Sequence, residues 1–443
     1  MTDPRNIVIA LGGQMPFHET DVETIPLGGT EHTTIKLVHA LRSVGMHVTL
    51  LTEHAWCEGA GYVHIPHEER ADWYRSVAYD AVIFVNNAMP EVVRDVPEDR
   101  AKILWSHHCT LCDTPVKSLP LLDRIVALSH PAQVCIQRAI PTEEQGKVVA
   151  ICQGIERWRY DLTQPRNRYQ GIYCSVPNRG LSLLIDWAED LMAIDTRLRI
   201  VVCSGWEIYN QCERRDSPAG TISDGDDDRH ARMAQYKDRF FLGGYAVPYP
   251  QLPPLLCQSS ILTYPCIKYD ESLCLAAMFA QAAGCVVLTT DAAALAETAA
   301  TQILLPEARM HNGTYKEYFL KELDRLLHDD AYWEYYHDRA LATWHHPGIE
   351  WEVRAMEWKE LFNEILNGKG RKYDMGKTES HQRRSRRPPT AHGGITGDRA
   401  SDSSPGDAQN LDDYFAEERD RRARTADREQ LKAAQQDRLA SLY

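Results

Sequence analysis

The sequence has no apolar stretch long enough to cross a bilayer. Its first apolar run, over 7–11, is also too short for a secretory signal, and a Gly12-Gly13 turn follows it. Positive charge is in deficit: 49 Lys and Arg against 63 Asp and Glu give a net charge of −14. That excludes a chain whose whole surface binds nucleic acid or anionic lipid. The twelve cysteines lack the spacings of a disulfide framework, so reduced thiols in a cytoplasmic protein are expected. Two nucleotide fingerprints are missing. Gly12-Gly13 has no third glycine after it, and there is no Walker-type Gly-Lys-Ser. His107, His108, Cys109, Cys112 and Asp113 have zinc-compatible spacing, but no second Cys or His pair completes four ligands. The acidic run 224–228 lacks the glycine and distal glutamate of a calcium loop. No metal site and no bound cofactor are therefore expected.

What is present is alternation. Short apolar runs at 7–11, 48–52, 81–85, 103–105 and 125–128 read as buried strands, with a helix over 30–44. Strands separated by helices imply a parallel, Rossmann-like sheet. The pattern then restarts, with strands at 171–175, 198–203, 240–242, 261–264 and 285–289 and helices over 181–192 and 273–283. The fold class is thus α/β, with two facing Rossmann-like domains over 1–165 and 166–345, joined by a polar stretch at 161–169. A helix over 346–367 packs back on the core. The composition then turns to Gly, Ser, Pro, Arg and Asp, so 368–410 reads as a disordered linker. A charged helical tail follows over 411–443.

Paired Rossmann domains form a cleft at the carboxyl ends of their strands, where α/β proteins bind ligands. Gly28-Gly29 precedes a helix and would let a phosphate approach free N–H groups, although a glycine loop alone is commonly no more than a flexible turn. Arg179, at the turn 175–181, would pair a diphosphate bidentately or simply lie on the surface. Asp270-Glu271-Ser272 opens the next helix. A carboxylate there suits sugar hydroxyls, and equally suits N-capping.

Taken in order, these stretches resemble the retaining GT-B glycosyltransferases of family four. The resemblance spans roughly residues 5–365 and is carried by Gly28-Gly29-Thr-Glu31, Asn-Arg179-Gly180-Leu, Phe241-Leu-Gly243, Tyr264-Pro265, Glu271-Ser272-Leu273-Cys274, Ala282-Ala283-Gly284-Cys-Val-Val and Glu297-Thr298. It implies a donor domain in which Glu271 holds the sugar, Arg179 and the Gly28-Gly29 loop hold the diphosphate, and Ser272, Leu273 and Cys274 line the donor site. His107, after the run 104–106, matches the histidine near the sugar. Three features depart from the pattern. Phe279 stands where a second glutamate meets the ribose, the family's other basic residue several positions before Arg179 has no counterpart, with Tyr173 nearby, and 152–155 reads Cys-Gln-Gly-Ile for Pro-Asn-Gly-Ile.

The resemblance implies metal-independent transfer of a sugar, with retention, from a nucleotide-diphosphate sugar to a glycan, lipid or protein hydroxyl. His107 and Glu271 would be the catalytic pair. The alternative is a catalytically impaired GT-B protein that binds sugars or assembles with others, and Phe279 favours it. A Rossmann oxidoreductase is a third reading, without its glycine fingerprint. Arg383, Arg384, Arg386 and Arg387 form a basic run suited to a solvated linker or to a protein or anionic-surface partner, peripheral at a membrane. No specific nucleic acid is implied.

Overall fold

The computed structural model describes residues 6–11, 17–52, 62–66, 69–111, 113–205, 231–236, 240–244, 246–267, 271–306 and 313–382. Among them, seven strands form one sheet and six form another. The first contains β1 (Asn6–Leu11), β2 (His47–Thr52), β3 (Tyr62–His64), β4 (Ala81–Val85), β5 (Ala101–Trp105), β6 (Arg124–Ala127) and β7 (Val148–Ala150). Its order is β3-β2-β1-β4-β5-β6-β7, and every pairing is parallel. The second contains β8 (Asn167–Tyr173), β9 (Arg199–Val202), β10 (Phe241–Gly243), β11 (Ser259–Thr263), β12 (Val286–Thr290) and β13 (Ile303–Leu305). Its order is β10-β9-β8-β11-β12-β13, again parallel throughout.

The central strands β4, β5, β11 and β12 are buried at every residue. Burial on both faces is why they lack the apolar–polar alternation of a half-exposed strand: β4 is wholly apolar, and β5, β11 and β12 keep apolar centres with buried Lys, Ser or Thr among them. Strand order reverses beside β1 in the first sheet and beside β8 in the second. The loops leaving those strands open the crevices where ligands fit.

Three expected elements differ. The helix expected over 181–192 breaks at Trp187 into α3 (Leu181–Asp186) and α4 (Ala188–Ile194), numbering α1 as Gly29–Ser43 and α2 as His130–Ala139. The helix expected from 273 starts later, as α5 (Leu275–Ala282), because 271–274 is drawn into contacts with the first domain. Two further helices, α6 (Tyr315–His328) and α7 (Asp330–Trp344), lead to α8 (Trp351–Gln382). This last helix runs past the expected end at 367. Lys369 anchors its continuation on the first domain, with its ammonium 2.8 Å from the Asp123 carboxylate and 2.8 Å from the Glu98 carbonyl.

The return of α8 fixes the junction between domains. Ile155 N–H donates to the Ile349 carbonyl at 3.0 Å. A Cβ at Gly154 would lie 2.6 Å from the Trp351 backbone, so only glycine fits. Just beyond, Glu156 on the connecting segment pairs with the buried Lys36 of α1 at 2.8 Å and with Arg159 at 2.7 Å. Among the described residues, no helix is long and apolar enough to cross a membrane. The basic run at 383–387, the acidic run at 224–228, and Asp270 and Cys112 lie outside the described residues.

Candidate active site

A cleft of about 370 Å³ lies between the two sheets' carboxyl ends, lined among others by Gly28, Gly29, His107, Arg179, Glu271 and Phe279. Every site residue expected from sequence thus reaches one cavity, Ser272, Leu273 and Cys274 included.

Glu271 is its most constrained charge. The residue is 2 % exposed, and a buried carboxylate needs compensation. Arg179 Nη1 donates to both carboxylate oxygens, at 3.0 and 3.1 Å, and the Tyr264 hydroxyl donates to Oε1 at 2.5 Å. Ninety-two positions separate the ion pair in sequence. Capping, the simpler reading of Glu271, is not its role, since it sits ahead of α5 and bonds to Arg179 instead.

The backbone around Arg179 is built for close approach. Gly180 follows with φ +110°, a conformation that disfavours a side chain. A Cβ there would stand 2.4 Å from the Pro265 carbonyl oxygen. Gly180→Ala is therefore expected to lower stability by about 2–3 kcal/mol, read as a shifted urea midpoint. An unchanged midpoint would show that the turn relaxes freely.

The segment 271–274 is sewn to the first domain. Ser272 Oγ donates to the His107 carbonyl at 2.6 Å, and Ser129 Oγ donates to the Ser272 carbonyl at 2.7 Å. The Cys109 thiol donates to the Glu271 carbonyl at 3.5 Å. Glu297 accepts from the His130 N–H at 3.1 Å, at the start of α2. Leu273 and Cys274 are buried, and Cys274 enters α5 with φ +68°. That is an uncommon value for a side-chain-bearing residue, of the kind concentrated at binding sites.

Across the cleft, α1 begins at Gly28 with no side-chain cap. Its first turn presents N–H groups and the positive end of the helix dipole. Glu31 folds back over it, so close that a Cβ on Gly28 would stand 2.4 Å from its Oε2. The positive end of the helix thus already has a carboxylate beside it.

His107 is buried, with its ring 4.3 Å from that of Trp105 and its backbone N–H donating to Asn86 Oδ1 at 2.7 Å. Its Nε2 has no protein partner. Burial, helped by His108, pulls its pKa down from 6.5 to about 3, so it stays a neutral imidazole. His32 is held down to about 3 by burial and by the positive charges of Lys36 and Arg159. His32, Tyr249 and Phe279 form an aromatic wall at one side of the cleft, with ring centroids 4.4–5.7 Å apart.

These histidines impose a pH dependence on stability. The unfolded chain takes up their protons near 6.5, whereas the folded one resists until about 3. Stability is full above 6.5 and falls as pH drops through that window, by up to about 1.4 kcal/mol per pH unit for each group. The urea midpoint should fall between pH 7 and 4.5, and less steeply in His107→Asn. Parallel slopes in variant and wild type would remove His107 as a cause.

His32, Asn86 and Ser204 also shape this site without any signal in the sequence. Glu31, Gln153 and Tyr264 are visible in the sequence only as members of longer patterns. Among the described residues, no three His, Cys, Asp or Glu side chains converge as a metal site.

No family model and no curated protein matches the chain. Solved structures do. Anabaena HepE, in complex with UDP and glucose, is similar with a TM-score of 0.54 at 13 % identity, over 81 % of this chain and 99 % of that one. AviGT4, a glycosyltransferase involved in avilamycin A biosynthesis, gives 0.52 at 15 % identity, over 82 % and 99 %. The catalytic domain of starch synthase IV from Arabidopsis thaliana, bound to ADP and acarbose, gives 0.55 at 9 % identity, over 83 % and 100 %. With two parallel sheets facing one cleft and these structural counterparts over nearly their whole length, the chain has the GT-B fold.

Proposed function

We propose that the protein is a glycosyltransferase that moves a sugar from a nucleoside-diphosphate sugar to a hydroxyl acceptor, with retention and without a metal. The carrying observation is the Arg179–Glu271 pair, held at the cleft between the two domains opposite the uncapped start of α1. Structural neighbours that hold UDP with glucose, or ADP with acarbose, support the same reading.

In this mechanism the bond from the anomeric carbon to the diphosphate breaks through an oxocarbenium-like transition state, and charge gathers on the leaving diphosphate. Arg179 and the N–H groups after Gly28 meet that charge in a site that needs no reorganisation. Diphosphate binding draws Arg179 from Glu271, whose carboxylate then accepts sugar hydroxyls while Tyr264 still donates to it. His107, neutral throughout the working pH range, positions the sugar by hydrogen bonding and does not act as a base. The seam from Ser272 to His107 and Ser129 keeps both walls in register and limits water.

A thermal-shift panel of UDP-, ADP-, GDP- and dTDP-sugars, followed by donor hydrolysis and transfer assays, tests this. At least one donor should stabilise the protein and turn over. Binding without turnover across all donors and acceptors would instead leave a sugar-binding protein.

A further inference from the structure

Gln153 is more deeply buried than His107, lines the same cleft, and yet its Oε1 accepts no hydrogen bond from the protein. An amide oxygen left so costs about 1–3 kcal/mol in a folded state, and buried polar groups are ordinarily satisfied. The side chain has little freedom to find a partner. Gly154 is wedged against Trp351, and Ile155 is hydrogen-bonded to Ile349, so the backbone on its C-terminal side is locked.

Its position suggests what it serves. Strands β5, β6 and β7 are successive neighbours, and the loops leaving them bring His107, Leu128 and Gln153 to one wall of the cleft. The middle loop is bonded through Ser129 to Ser272, the residue after Glu271. His107 Nε2, on the first of these loops, is likewise buried without a protein partner. A wall with two such atoms, in a cleft that also holds the Glu271 carboxylate, matches a ligand rich in hydroxyl groups.

We propose that Gln153 is a specificity-determining residue whose side-chain amide reads a hydroxyl of the transferred sugar. This rests on the donor reading above and adds a residue to it. The amide is kept at a cost in stability because the bound sugar supplies its partner.

The test compares wild type with Gln153→Met, which keeps length and volume and removes the amide. Binding of UDP, ADP, GDP and dTDP is measured by calorimetry beside the hexose derivative of each. With whichever pair wild type binds, the variant should hold the nucleoside diphosphate unchanged and lose about tenfold in affinity for its sugar derivative. Without ligand it should melt at or above the wild-type temperature, whereas a structural glutamine would melt lower when replaced. Equal loss for both ligands, no loss for either, or a lower melting temperature without ligand would overturn the proposal. If Gln153→Met does not fold, Gln153→Asn, which withdraws the amide by one methylene, takes the same binding measurements. Should wild type bind none of these compounds, it is the donor reading that fails, and this inference with it.

Discussion

Arg179→Ala should abolish nucleoside-diphosphate binding and also destabilise the fold, and Glu271→Gln in that background should restore the stability without restoring binding. The argument is electrostatic. Glu271 is 2 % exposed, and Arg179 donates to both of its oxygens. Truncating the arginine leaves a buried carboxylate with only the Tyr264 hydroxyl. Breaking a fully buried pair costs about 3–5 kcal/mol. The Arg179 side chain is 23 % exposed, so water offsets part of this, and about 2–3 kcal/mol is expected. Neutralising Glu271 removes the stranded charge, so the double variant should regain most of that loss. The diphosphate still lacks its cation, and binding stays absent. Urea midpoints of the four proteins, with calorimetric titration of UDP and ADP, form the cycle. Arg179→Ala that binds as wild type does would take Arg179 out of the donor site.

How much of this was legible follows from what each feature depends on. The two parallel sheets were, because β4, β5, β11 and β12 are buried throughout and β1 at its centre, which leaves short apolar runs such as 7–9, 81–85, 103–105 and 286–288. The edge strands β3, β7 and β13 were not: at three residues each they carry no period, and unlike the equally short β10 they lack a pair of aromatic and aliphatic residues closed by glycines to mark them. The residues of the cleft were legible as a set through their order along the chain, but not through their contacts. Nothing local marks Arg179 as the partner of Glu271, or Ser129 as the anchor of Ser272, since those meetings depend on the docking of two domains. Gly28-Gly29-Thr-Glu31 suggested an open anion site, and the structure adds that the Glu31 carboxylate lies against it. The start of α5 was misjudged for a similar reason. Residues 271–274 have no helix-breaking glycine or proline, and cross-domain hydrogen bonds hold them out of the helix with Cys274 at positive φ.

Phe279 decides how far the resemblance carries, and the expected result for Phe279→Glu is loss. If the phenylalanine merely filled the space of a missing glutamate, the substitution would strengthen nucleotide binding. The structure argues otherwise. Phe279 is 5 % exposed and packs its ring edge-on to His32 at 5.7 Å and tilted against Tyr249 at 5.4 Å. Tyr249 in turn carries the Lys36 ammonium 5.2 Å from its ring centre, so this wall is continuous with the Lys36–Glu156 contact at the domain junction. A glutamate here forfeits the aromatic packing, worth about 3 kcal/mol by analogy with large-to-small core substitutions, and buries a charge near the Lys36–Glu156–Arg159 network. The nearby cations would offset some of that cost and would be drawn from Glu156 in doing so. Phe279→Glu should therefore melt earlier and bind UDP and ADP less tightly than wild type, whereas Phe279→Tyr, which keeps the ring, should match wild type in both. Tighter nucleotide binding by Phe279→Glu would show that the site lacks only a ribose contact, and that the aromatic wall has no part in holding the donor.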